Sequence, residues 1–114
     1  MRKKYRVKRN EEIESIIKNH KSYGNKYFNV YIKQSETTYF RYAISVGKKI
    51  GIAVTRVKRK RQLRSIIDNM IDINQSLDIL VVAKPTINDL EFDEMRRQLA
   101  YLFKKLNIKM KMKD

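Results

Sequence analysis

Residues 53–71 read AVTRVKRKRQLRSIIDNMI, and the arrangement of the chain follows from this stretch. Six of the nine residues from Arg56 to Arg64 are cationic and none is acidic. The second half has apolar residues at helical spacing, namely Leu63, Ile66, Ile67, Met70 and Ile71. The pattern predicts one helix whose first turns are cationic and whose last turns pack on a core.

The cations of this helix favour a polyanionic partner. At 3.6 residues per turn, Arg56, Lys60 and Arg64 are expected to lie along one ridge. A row of phosphates suits such a ridge, because each contact releases condensed counterions. The alternative is a solvated helix face, which most charge runs are, but this run lacks the interleaved acids of an ordinary surface helix.

The composition indicates one globular domain over residues 1–114. The chain carries 27 Lys and Arg against 12 Asp and Glu, a net charge of +15, with 42% hydrophobic residues. So much positive charge favours nucleic acid as the partner, with an anionic membrane surface second. A peripheral membrane role is weak, because the basic run lacks a bulky apolar face.

The sequence predicts a cytoplasmic protein. It has no cysteine, so neither a disulfide framework nor a thiolate metal site is expected. No apolar segment follows the basic start in the manner of a signal peptide. No apolar run approaches the ~20 residues of a membrane span.

Both ends of the chain are basic. Residues 1–9 are expected to form a mobile arm that orders on a phosphate backbone or serves as a solubilising tail. Residues 107–114, with interleaved lysines, are expected to be a frayed tail.

The hydrophobic pattern predicts an α+β domain with one sheet and helices packed mainly on one face. A short helix is expected after Asn10 as N-cap, and a turn at residues 22–25. Alternation predicts strands at 26–33 and 39–46, and residues 77–83 read as a central strand, apolar on both faces. With the basic helix and a last helix starting near Glu91, the order is α-β-β-(β)-α-β-α, with an optional short strand near Gly47.

Two surfaces are candidates for binding. The predicted phosphate-contacting residues lie in the glycine-flanked loop and the basic helix: Lys48, Lys49, Arg56, Lys58, Arg59, Lys60, Arg61 and Arg64. The strand at 26–33 also has a face with Asn29 and Tyr31. That face either stacks on unpaired bases or forms a plain cross-strand aromatic pair, and both interpretations stand.

The chain lacks the residues of a protein nuclease. The acids lie at helix starts or singly in polar segments, and His20 has no histidine partner. We therefore expect no catalytic residue and no metal site on this chain.

Several motifs together resemble the protein subunit of bacterial ribonuclease P. The basic helix matches the family form R-N-x-x-K-R-x-x-R at Arg56, Lys60, Arg61 and Arg64, with Val57 in place of the asparagine. Residues 45–51, SVGKKIG, resemble the family's S-V-[SG]-K-K-x-G. Further matches are Ser22, Asn25, Lys26, Phe28 and Tyr31, and the strand that ends in Ala83-Lys84-Pro85.

The resemblance implies a sandwich with a left-handed βαβ crossover, in a ribonucleoprotein that removes the 5′ leader of precursor tRNA. It implies that RNA is the catalyst, that Mg²⁺ acts through this RNA, and that the protein binds both the catalytic RNA and the leader. The implied leader cleft lies between the first helix and the sheet, at Ile13, Ile17, Asn29, Tyr31, Arg41 and Ser45. Ile13 and Ile17 stand where the family often has phenylalanines. A ribosomal or general RNA-binding protein is the alternative.

Overall fold

The computed structural model describes residues 3–111. The strands are β1 (Ser22–Gly24), β2 (Phe28–Gln34), β3 (Arg41–Val46) and β4 (Leu77–Ala83). The α-helices are α1 (Asn10–Lys18), α2 (Ala53–Met70) and α3 (Phe92–Lys105). Short 3-10 helices occupy Lys3–Tyr5, Lys48–Ile50 and Pro85–Asp89. The mixed α+β class and the element order agree with the prediction.

The four strands form one sheet in the order β1-β2-β4-β3. β4 is central, antiparallel to β2 and parallel to β3, so β3, α2 and β4 form a βαβ unit. Its central position explains why β4 is apolar on both faces: Ile79 and Val81 are buried on one side and Leu80 on the other.

The sheet separates a large core from a small one. The large core lies under α2 and α3, where Leu63, Leu99 and Phe103 are completely buried. The small core lies under α1, where Ile16 packs with Ala43 and Leu80. Two of the three α-helices described for residues 3–111 therefore share one face, as predicted.

Three local predictions near the first strands are corrected. The N-cap of α1 is Arg9 rather than Asn10, since the Arg9 carbonyl accepts hydrogen bonds from the Glu12 and Ile13 amides at 3.1 Å. The predicted turn at 22–25 is mostly strand β1, which pairs with β2. The reversal follows at Asn25, whose Oδ1 accepts the Tyr27 and Phe28 amides at 2.9 Å.

The optional strand near Gly47 is instead the 3-10 helix Lys48–Ile50. Gly51 then leads into α2 with φ of 155°, a conformation that side chains rarely adopt. A Cβ at Gly51 would also lie 3.1 Å from the Thr55 side chain. The glycine therefore fixes where α2 begins.

Both ends pack against the rest of the domain within the described residues. The Val7 amide donates to the Tyr42 carbonyl at 2.8 Å, and Val7 is 5% exposed. At the other end Ile108 is buried, Met110 bridges to Ile71, and the Lys111 amide donates to the Met70 carbonyl. Apolar residues of both segments thus add to the two cores, while the mobility of the arm and the fraying of the tail stay predictions. Residues 1–2 and 112–114 lie outside the described part.

No helix within residues 3–111 has the length and apolar content needed to cross a membrane.

Candidate nucleic-acid interface

The cations of α2 lie on two different parts of its surface. Lys58 and Arg61 are exposed, in a stripe that continues to Ser65 and Asn69. Arg56, Lys60 and Arg64 form the predicted ridge, but each is partly buried on the flank of that stripe. The Arg56 Nε is buried and has no hydrogen-bond partner.

No carboxylate neutralises these cations in an ion pair within residues 3–111. The ion pairs described there join Arg41 to Glu12 and Asp78, and Arg97 to Glu94. The first turn of α2 contains no acid. Positive charge on α2 is therefore available to an external anion.

Arg59 differs from the other predicted phosphate contacts. Its Nη1 donates to Gln62 Oε1 at 3.2 Å and to the Leu90 carbonyl at 3.4 Å, and it lies 3.8 Å from Met95 Sδ. These contacts direct the guanidinium toward the start of α3. Arg59 therefore joins α2 to its neighbour in the fold.

Lys48 and Lys49 extend the basic surface before α2. Both are exposed on the 3-10 helix Lys48–Ile50. The segment is anchored because Asn88 Nδ2 donates to the Ile50 carbonyl at 2.7 Å. The two lysines thus have a fixed backbone beside the helix start.

Sequence reasoning did not assign the N-terminal arm to a definite place on this surface. Arg6 and Lys8 line a depression of about 180 Å³ beside β3, together with Ile13, Ile44 and Arg64. The Arg6 Nε is buried without a hydrogen-bond partner. The signal was the single apolar Val7 between two cations, which fits a strand-like segment with one side inward.

Tyr42 connects this region to α2. Its hydroxyl donates to Asp68 Oδ1 at 3.1 Å. Burial raises the pKa of Tyr42 to about 12, and the Asp68 carboxylate adds to the rise, while Arg6 and Arg64 oppose it. The phenol remains a protonated donor at neutral pH.

The predicted cleft residues of the sheet share the face that α1 covers. Asn29 and Ser45 flank Val82 of β4, and Tyr31 lies beside Leu80. Tyr31 and Ile13 are partly buried against the small core, whereas Ser45 is exposed and Ile17 is 42% exposed. The structure therefore brings the residues together around α1.

Gly24 determines where the Asn29 side chain lies. The two residues are paired across β1 and β2, and a Cβ at Gly24 would come within 2.0 Å of Asn29 Oδ1. The amide of Asn29 therefore lies directly over the glycine at the sheet face.

Arg41 is already bound at the end of this face. Its Nε and Nη2 donate to the two Asp78 oxygens at 3.0 and 2.8 Å, and Nη2 also donates to Glu12 Oε2 at 2.6 Å. The hydrogen bonds that Arg41 donates to Asp78 hold the pKa of Arg41 above its ordinary value. Sequence reasoning took Asp78 as an isolated acid, since Arg41 lies 37 residues earlier.

Within residues 3–111, no three or more His, Asp or Glu side chains come together as a metal site would require. Glu12 and Asp78 do meet, but they share Arg41 between them. This donor set does not fit a Mg²⁺ ion held by the protein alone.

The family model described as Ribonuclease P matches residues 1–107. The chain belongs to the ribonuclease P protein family. It is 42% identical to the ribonuclease P protein component of Pediococcus pentosaceus, over 91% of this chain and 89% of that one. It is 39% identical to the component of Acholeplasma laidlawii, over 95% and 94%.

Solved structures of ribonuclease P proteins have the same fold. The protein from Staphylococcus aureus matches with a TM-score of 0.82 and 31% identity, over 91% of this chain and 96% of that one. The protein from Thermotoga maritima matches with a TM-score of 0.78 and 29% identity, over 88% and 96%. The family assignment from motifs is thus confirmed in sequence and in structure.

Proposed function

We propose that this chain is the protein subunit of a ribonuclease P holoenzyme, which removes the 5′ leader from precursor tRNA in the cytoplasm. The observation that carries the proposal is the cationic surface of α2, which no described carboxylate neutralises in an ion pair. Family membership favours this role over a general RNA-binding protein.

In this proposal the protein binds and the RNA partner cleaves. Lys48, Lys49, Lys58 and Arg61 are exposed and reach phosphates of the catalytic RNA, with the ridge of Arg56, Lys60 and Arg64 beside them. Mg²⁺ is held by the RNA and supplies the metal chemistry of phosphodiester hydrolysis. The protein contributes positive charge, which lowers the Mg²⁺ concentration needed to assemble the complex.

The sheet face beside α1 receives the single-stranded leader. Tyr31 offers a ring for stacking, Asn29 and Ser45 offer hydrogen-bonding groups, and Ile17 offers apolar surface at the edge of α1. Arg41 acts mainly by holding α1 in place, since Asp78 and Glu12 accept from its Nε and Nη2.

The deciding experiment is precursor-tRNA cleavage by the catalytic RNA at low Mg²⁺, with and without the protein. We expect the protein to increase cleavage and to bind leader-bearing tRNA better than leaderless tRNA. Equal cleavage in both reactions, with the protein shown to be folded, would contradict the proposal.

A variant tests the leader face separately. Tyr31→Ala is expected to weaken binding of leader-bearing tRNA by about tenfold, the loss of one base stack, and to leave binding of leaderless tRNA unchanged. An equal loss for both tRNAs would exclude the leader face.

A further inference from the structure

The start of α2 presents an apolar surface to solvent. Ile52 is 73% exposed, Val54 75% and Val57 55%. Val54 and Val57 are neighbours on the helix surface because they are three residues apart, and Ile52 is the N-cap. Single exposed aliphatic residues are ordinary, but these are three within six residues at the start of one helix, here called the apolar patch.

Exposed cations precede and follow the apolar patch along the chain. Lys58 follows Val54 by four residues and Arg61 follows Val57 by four, so both continue the same face of α2. Lys48 and Lys49 lie on the preceding 3-10 helix, and the first turn of α2 contains no acid. The occupant of the patch must therefore be both anionic and apolar.

This charge pattern argues against a second copy of the chain. Two copies meeting at this face would bring their lysines and arginines together without a described carboxylate between them. An unpaired nucleotide has both required properties, a flat apolar base and a flanking phosphate. A base paired inside a helix presents only its edge and backbone.

The patch is also rigid. All three side chains are β-branched, which restricts χ1 in Val54 and Val57 within the helix. The Ile52 carbonyl accepts the Arg56 amide at 3.0 Å, and Gly51 fixes the approach of the chain. Binding of a nucleotide here would therefore cost little side-chain conformational entropy.

We propose that Ile52, Val54 and Val57 pack against the base of an unpaired nucleotide in the RNA partner, while Lys58 and Arg61 contact its flanking phosphates. This rests on the proposed function and names the kind of RNA feature that the helix recognises. In this chain, recognition at the helix start is therefore apolar as well as electrostatic.

The test separates the two contributions through salt. Val54→Thr/Val57→Thr keeps the shape of the side chains and adds polar groups, so we expect the Kd for the ribonuclease P RNA to rise about fivefold with an unchanged salt slope. Lys58→Gln/Arg61→Gln should instead flatten that slope by about one phosphate contact for each residue. Tyr101→Thr, which changes a half-exposed apolar side chain on α3, should alter neither quantity.

Chemical probing of the RNA identifies the contact. With wild-type protein, one unpaired nucleotide should be protected from modification, and the double threonine variant should lose this protection at saturating protein. Identical affinity and protection in wild type and the threonine variant would overturn the proposal, while failure of the wild type to bind the RNA would overturn the proposed function instead. Self-association that the threonine variant abolishes, measured by sedimentation, would assign the patch to a second copy and also overturn it.

Discussion

At the scale of single residues, the contacts of Arg41 change the role expected for it. The resemblance places this residue in the leader cleft, yet its guanidinium joins Asp78 of β4 to Glu12 of α1. The Asp78 side chain is 8% exposed and that of Arg41 16%. Arg41 therefore ties a helix to the sheet, and its place in the leader cleft stays a prediction.

Asp78→Asn should destabilise the fold. The change replaces one of the two oxygens that accept from Arg41 with an NH2 group and removes the negative charge, which leaves Glu12 as the carboxylate paired with the guanidinium. We expect a loss of about 2 kcal/mol in the free energy of unfolding, less than for a fully buried pair because one side of the network reaches water. Urea denaturation measures it.

The matched control for Asp78→Asn is Glu94→Gln, which breaks the pair with Arg97 on the surface of α3. Both partners are exposed to screening by water, so the denaturation midpoint should hardly move. Equal effects of the two substitutions would show that the Arg41 network contributes no more to stability than a surface ion pair does.

Tyr42 should make the free energy of unfolding fall as the pH rises above 10. Its pKa is about 12 in the folded chain, above the ordinary value of 10, so the unfolded chain loses this proton first as pH rises. Stability from Tyr42 is therefore complete below pH 10 and is lost progressively between pH 10 and 12. Tyr42→Phe should show a shallower fall over that range than Tyr101→Phe, and parallel denaturation profiles would contradict this.

At the scale of elements, the two flanks of α2 should respond differently to the same substitution. Arg61→Gln removes an exposed cation and should flatten the salt dependence of RNA binding by about one phosphate contact. Arg59→Gln removes contacts to Leu90 and Gln62, so it should lower the denaturation midpoint and leave the salt slope nearly unchanged. Salt titrations of both variants with one RNA check this, and equal slopes would refute it.

The segment after α3 should contribute to stability rather than act as a tail. Ile108 is 4% exposed, so Ile108→Ala should cost about 2–4 kcal/mol through lost burial and a cavity. Lys109→Ala, at an exposed neighbouring position, should change the unfolding free energy by less than about 0.5 kcal/mol. Similar values for both would mean that the segment does not pack as described.

Periodicity was enough to find the long elements and to assign their faces. The stripe of α3 through Met95, Leu99 and Phe103 is buried, and the alternation in β3 places Tyr42 and Ala43 on opposite faces. Pairings between distant residues left no such local signal. The strand character of β1 depends on its pairing with β2, and the bonds of Arg41 to Asp78 exist only because β3 lies beside β4.

The same limit applied to the candidate site. The sequence showed which residues of α2 are cationic, but the direction of the Arg59 side chain depends on where α3 packs. The place of Arg6 and Lys8 beside Arg64 depends on the pairing of the arm with β3. The sign and position of each charge were thus readable from the sequence, while the direction in which each side chain points required the tertiary fold.

At the scale of the whole molecule, the net charge of +15 should make the free protein more stable as salt increases. Repulsion among the cations opposes the compact state, and about 0.1 M salt screens it beyond roughly 10 Å. We expect the urea midpoint of the free chain to rise between 10 and 200 mM salt, because the Debye length falls from about 30 Å at 10 mM to about 8 Å at 150 mM. A midpoint that falls or stays constant would show that repulsion does not limit stability.

Bound RNA should reverse that dependence. A ligand that binds only the folded state adds stability according to its concentration relative to Kd. The Kd of an RNA complex rises with salt, so this added stability falls. The complex should therefore lose thermal stability over the salt range in which the free protein gains it. Thermal melts with and without the RNA partner make the comparison.

The middle position of β4 in the sheet delays folding of the chain during its synthesis on the ribosome. β2 and β3 do not pair with each other in the sheet; each pairs with β4, which is translated after α2. During synthesis the nascent chain therefore displays the full charge of α2 before its sheet can close. For that interval it is a basic, incompletely folded polypeptide next to ribosomal RNA. Folding of the sheet, which needs β4, therefore competes with binding of the nascent chain to RNA other than its partner.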